Sequence, residues 1–142
     1  MGSAEFLSLA ERLLKIPSEA AYRTAVNRAY YATFHCGNDF LAKLGFRASI
    51  GPQAHGQLQA RANNSGVLEF EKFYKILHRL YDRRRLADYD LSSREFHSQA
   101  AAALWVASAK QALAIIAQCE ASEALRQRIR KGVEEYEKKL KA

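Results

Sequence analysis

The sequence predicts an all-α fold, an up-and-down antiparallel bundle of four long helices with short extra helices. Three observations carry that expectation. Alanine and leucine number 25 and 16, against only 12 Val, Ile and Thr together, so straight-chain helix formers outweigh β-branched strand formers. Seven glycines and two prolines in 142 residues are too few for the many turns of a sandwich or barrel. The connections between periodic segments are short, which favours antiparallel neighbours. A chain of this length forms one domain, residues 1–142, and buries enough surface to need no disulfide or metal staple.

The first helix is expected from about Ala4 to Lys15, with Phe6, Leu9, Leu13 and Leu14 on one side. Pro17 ends it, and Ser18 is a good N-cap for the next. The second helix runs from Ser18 to about Leu44 and stops at Gly45. Its middle, Ala25 to Phe34, is apolar nearly all round, the mark of a helix packed on several sides. Phe46 to Gln53 reads as a loop around Gly51-Pro52, followed by a short helix from Ala54 to Ala62. Asn63-Asn64-Ser65-Gly66 breaks the chain again, and a third long helix covers Val67 to Tyr89. Asp90 to Ser93 is expected as a tight connection, with Ser92 or Ser93 capping an alanine-rich helix from Arg94 to about Cys119. From Ser122, residues 122–142 form a C-terminal amphipathic helix with the stripe Leu125, Ile129, Val133, Tyr136 and Leu140.

The formal net charge is +7, which permits a polyanionic partner without demanding one. Arg79, Arg83, Arg84 and Arg85 surround a single Asp82, while the basic excess of the tail reads as a solvated helix face. Cys36 and Cys119 share no metal or redox spacing, and reduced thiols in a cytoplasmic protein are expected. The longest uncharged stretch, Phe96 to Ala109, falls short of the about 20 apolar residues of a membrane span, and no leader pattern opens the chain. No metal is expected, since no His/Cys/Asp/Glu set has ligand spacing. With no phosphate-binding glycine loop either, no cofactor is expected.

Two helices break their own pattern. Phe70, Phe73, Leu77 and Leu80 form a seam whose next positions are Arg84 and Ala87. A guanidinium on an apolar seam is costly unless partners await it, and Asp88 lies one turn further on. Tyr81 and Tyr89 flank the pair. On the second helix Arg28, Tyr31 and His35 share one face, which Thr24 and Asn38 extend. Two explanations stand side by side. Arg28 and Arg84 against Asp88 make a buried ionic network that sets helix register, or the arginine forks await phosphate oxygens. His78 and His97 read as surface or cap residues, Trp105 as core or dimer contact, and His55 as near enough to a turn to reach a cleft.

The run Ala25-Val26-Asn27-Arg28-Ala29-Tyr30-Tyr31-Ala32-Thr33-Phe34-His35 resembles the RAYYA-F-H helix of small prokaryotic HEPN-domain proteins. Arg84-Arg85-Leu86-Ala87-Asp88-Tyr89-Asp90 resembles their R-x-x-A-D-Y-D segment, and His55-Gly56 fits a histidine that commonly precedes it. The likeness spans about Ala21 to Asp90, with order and spacing kept. It implies a HEPN-like bundle that homodimerises around a polar cleft. It also implies an RNA- or nucleotide-binding role, and a minimal nucleotidyltransferase as partner in a toxin–antitoxin-like module. Active members cleave RNA without metal, using an arginine followed by a histidine. Here Tyr89 stands in the histidine's place, and a phenol is a poor base at neutral pH. The resemblance therefore nominates Arg84 and Tyr89 for any ribonuclease chemistry, and Arg28, Tyr31, His35, His55, Arg83 and Asp88 for contacts to RNA or nucleotide. The alternative it leaves is a non-catalytic helical scaffold that docks the transferase.

Overall fold

A computed structural model describes residues 1–142 as six α-helices and no strands: α1 (Ser3–Leu13), α2 (Glu19–Lys43), α3 (Gln53–Asn63), α4 (Leu68–Tyr89), α5 (Gln99–Ala121) and α6 (Glu123–Leu140). The all-α expectation holds. Ser18 caps α2 by accepting the Ala21 N–H, and Ser122 caps α6 by accepting the Leu125 N–H at 3.1 Å. The chain leaves α2 through Gly45, whose φ of +99° is one that a side chain would resist.

Residue pairings give the helix directions. Asn27 meets Asp88 near one end of α2 and Phe40 meets Phe70 near the other, so α4 runs antiparallel to α2. Val26 packs with Ala102, and Lys43 pairs with Glu120 at 3.3 Å, so α5 runs parallel to α2. Phe6 lies against His35 while Leu14 packs on the small cluster of Val26, Ala87, Phe96 and Ala102, so α1 opposes α2. The up-and-down bundle is thus built from α1, α2, α4 and α5. Of the long helices, α6 stands aside: Ile129 and Val133 are buried, but Leu140 is exposed. It is fastened where Gly132 meets the Ser65 backbone so closely that an added Cβ would lie 1.8 Å from the Ser65 carbonyl oxygen.

The core lies between α2, α4 and α5, with Tyr30, Phe40, Phe70, Phe73, Leu77, Leu80 and Ile116 fully enclosed. At Gly37 the Phe73 ring comes within 2.7 Å of where a Cβ would be, so the two helices touch directly there. Burial pushes the thiols of Cys36 and Cys119 up to about 11, so both stay protonated at neutral pH. By length and composition α5 is apolar enough to cross a membrane, with a mean hydropathy of 1.5, although Lys110 interrupts it. In this fold Ala102, Val106, Ala109, Ala112 and Ile116 of α5 are buried within the bundle.

One boundary differs from expectation. The alanine-rich helix starts at Gln99, capped by Ser98, rather than at Arg94 behind Ser92 or Ser93. The cause is Arg23, a residue the periodicity argument passed over. Its guanidinium donates to the carbonyls of Ala87 (2.9 Å), Asp90 (2.9 Å) and Ser93 (3.0 Å), and more loosely to those of Leu86 and Leu91. These bonds tie the end of α4 and the connection that follows it to α2, and residues 90–98 stay irregular. Phe96 seals the arrangement, fully buried with its ring 5.1 Å from the guanidinium.

Candidate functional site

Three arginines are buried: Arg23, Arg61 and Arg84. The fold treats them differently. Arg23 is surrounded by the carbonyl acceptors just described. Arg61 on α3 donates to the Arg47 carbonyl at 2.8 Å and to Glu137 on α6 at 3.1 and 3.2 Å. Both are structural ties, between α2 and the 90–98 loop and between α3 and α6.

Arg84 has no such set. It is 8% exposed and donates no hydrogen bond to any protein group, and its Nε is wholly buried without a partner. Asp88 approaches at 3.7 Å, close enough for charge attraction but beyond a hydrogen bond. What holds the guanidinium is aromatic: Tyr30, Tyr31 and Tyr81 lie at 5.4, 5.7 and 5.4 Å from it. Ring faces attract a cation by about 0.5–2 kcal/mol each, yet they accept little of its in-plane N–H fork. The terminal nitrogens, unlike Nε, keep some contact with the outside. One other buried side-chain atom is an orphan, Glu69 Oε2 in the first turn of α4, where the helix dipole favours a carboxylate.

Four helices bring the surrounding groups together. From α3 comes His55, whose Nδ1 lies 2.5 Å from the Tyr30 hydroxyl and whose ring sits 5.6 Å from both Tyr30 and Tyr81. Arg84 and His55 therefore press on the same two tyrosines. Burial, then the positive charge of Arg84, holds His55 below its ordinary 6.5, so it is neutral at pH 7. Burial also pushes the Tyr30 phenol well above its ordinary value, which keeps it a hydroxyl. From α2, Asn27 donates to Asp88 at 2.8 Å while its carbonyl accepts from Arg28. Arg28 also lies over Phe6 of α1 and over Tyr31, and His35 stacks on Phe6.

So Arg84, His55, Tyr31, Asp88, Arg28 and His35 form a continuous band across α2, α3 and α4, with Phe6 of α1 at its edge. The proposed direct network of Arg28 and Arg84 against Asp88 forms only in part: Arg84 pairs loosely with Asp88 at 3.7 Å, while Asn27 stands between Arg28 and the carboxylate. Two nominated residues lie elsewhere. Arg83 turns away to the other side of α4, pairing with Glu95 of the 90–98 connection and stacking over Trp105 of α5 at 5.3 Å. Tyr89 is 76% exposed, about 140° around α4 from Arg84, in a groove with Asp82, Arg85, Leu86 and Asp90. A histidine-like role for Tyr89 beside Arg84 therefore has no geometric support in this chain. His78 sits at the surface between Gln59 and Asp82, and His97 beside Glu19.

Tyr30 is the site residue that sequence reasoning missed, because a tyrosine within an apolar run reads as core. It is core, yet its hydroxyl anchors His55. Of the band only His35 lines a surface hollow, beside Phe6 and Asp39; Arg84 and His55 line none, so their part of it is a surface rather than a pocket. No group of side chains is arranged to hold a metal. No family model, curated protein or solved structure matches the chain.

The class that fold and site define is an all-α helical bundle carrying a buried, acceptor-poor arginine beneath a tyrosine and histidine surface. Chemically, such an arrangement can bind an anion with stacked rings at its edge, and phosphate fits its fork geometry.

Proposed function

We propose that this chain is a HEPN-type protein that binds RNA or a nucleotide through Arg84. The observation that carries this reading is the contrast among the buried arginines: two have acceptors and the third has none. An incoming phosphate supplies the acceptors that Arg84 lacks, and Tyr31, Tyr81 and His55 offer ring faces and edges to a neighbouring base. Arg28 adds a second positive charge to the band. The resemblance of the α2 and α4 segments to HEPN proteins supports the same assignment. With it come a cytoplasmic homodimer and a minimal nucleotidyltransferase partner in a toxin–antitoxin-like module. Metal-independent ribonuclease activity belongs to this reading with Arg84 as its phosphate contact.

The test is binding of a short RNA by fluorescence anisotropy at fixed salt, comparing wild type with Arg84→Ala. Loss of one charge-assisted fork costs about 1–3 kcal/mol, roughly 5- to 150-fold in affinity. Equal binding by the two proteins, with helicity retained, sinks the proposal. Incubating RNA with each protein in chelator then reads the nuclease claim, since cleavage must disappear with Arg84.

The flatness of the band favours a second reading, a non-catalytic scaffold. Here a carboxylate of a second copy or of the transferase completes Arg84. In that case Arg84→Ala changes the assembly state in sedimentation and leaves RNA binding alone.

A further inference from the structure

We infer that Arg84 and His55 form one phosphodiester site that takes up a proton as it binds, His55 becoming imidazolium beside the phosphate that Arg84 holds. This rests on the RNA-binding reading of Arg84 and adds to it a second contact group and a pH dependence.

The geometry comes first. Arg84 and His55 reach the same two rings, Tyr30 and Tyr81, from different helices. His55 Nδ1 is occupied by the Tyr30 hydroxyl, whereas Nε2 has no protein partner and is not sealed from outside. The groups that face the ring are Tyr30, Tyr31 and Phe34 from α2 and Arg84 and Tyr81 from α4. None is a carboxylate. On its own helix α3, the one charged side chain, Arg61, is engaged with Glu137 and the Arg47 carbonyl. Burial, and then the field of a neighbouring cation with no anion to offset it, keeps His55 neutral.

A phosphate placed against the free N–H groups of Arg84 reverses this balance. Its negative charge cancels the field that disfavours the imidazolium and gives the second N–H an acceptor. Binding and protonation then assist each other by equal amounts. The balance is simple: one proton leaves solvent and joins an imidazole nitrogen, and no covalent bond to the ligand forms.

The probe is a short oligouridylate with hydroxyls at both ends, so that no terminal phosphomonoester, which titrates near about 6, takes up the proton itself. Affinity is measured by anisotropy from about pH 8 to about pH 5.5, and proton uptake by calorimetry in two buffers of different ionisation heat. Wild type is expected to bind more tightly as pH falls, the slope approaching about tenfold per pH unit as uptake approaches one proton. His78→Gln keeps that slope and His55→Gln loses it. A wild-type slope of zero, or one that survives His55→Gln, overturns the inference. If Arg84→Ala still abolishes binding in that case, the RNA-binding reading stands without it; if Arg84→Ala binds like wild type, the reading itself has failed. Should His55→Gln misfold, the His55 ring-proton titration of the wild-type protein decides. Its midpoint must rise when the oligonucleotide is added, and an unmoved midpoint overturns the inference.

Discussion

Arg84 and Asp88 stand one helical turn apart at 3.7 Å without a hydrogen bond, because the carboxylate is held instead by Asn27 of α2 at 2.8 Å. An i,i+4 pair that looks like a self-contained salt bridge is therefore a loose one. Asp88 keeps Asn27 as a partner if the arginine is removed, and the arginine's own tie to it is only this loose contact.

Removing Arg84 should therefore hardly weaken the fold. Replacing an ill-matched buried cation by an apolar side chain of similar length is often neutral or stabilising. Arg84→Met is expected to unfold in urea within about 1 kcal/mol of wild type, or above it. A loss of several kcal/mol would mean that the guanidinium is a structural strut.

Arg23 provides the contrast. Arg23→Met orphans the carbonyls of Ala87 at the end of α4 and Ser93 in the connection, and leaves that of Asp90 with only the Ser93 N–H. The expected cost is about 3–5 kcal/mol, with faster amide exchange in residues 90–98. Near-neutral stability for this variant would contradict the account of why α5 begins at Gln99.

Gly132 sets how closely α6 approaches the loop between α3 and α4. In Gly132→Ala the new Cβ would fall 1.8 Å from the Ser65 carbonyl oxygen, and backbone must move. Alanine gains about 1 kcal/mol of helix propensity, but the forced displacement costs about 1–3 kcal/mol. The expected net result is lower stability and earlier proteolytic cleavage in α6, read by limited digestion.

The pH dependence of stability follows from His55. Its folded-state value lies below the ordinary 6.5, so the unfolded chain takes up the proton first. Neutral His55 thus contributes fully above about pH 6.5 and loses its contribution as pH falls toward the folded value. Melting temperatures between about pH 7 and pH 5 should therefore fall less steeply for His55→Gln than for wild type. Parallel curves would show that burial of this ring is not what the melt senses.

Much of the architecture is legible in local chemistry. Pro17, Gly45 and Gly66 interrupt the helices where backbone rules say they must, and Ser18 and Ser122 cap the next ones. The period of three and four in α4 places Arg84 among Phe73, Leu77 and Leu80, and it is buried there. The same period places Arg23 in line with Val26 and Tyr30, a signal that was present and went unused.

The chain's own order of residues determined the helices, their apolar faces and the burial of a cation on a seam, since these depend on neighbours within a turn or two. Which buried arginine has its acceptors was decided only by the tertiary structure. The carbonyls that serve Arg23 come from residues more than sixty positions away, and His55 reaches Tyr30 from another helix. Hydrogen bonds fade within a fraction of an ångström, whereas periodicity reports only which way a side chain faces. A helical pattern can bury a charge, but packing alone determines whether that charge is matched.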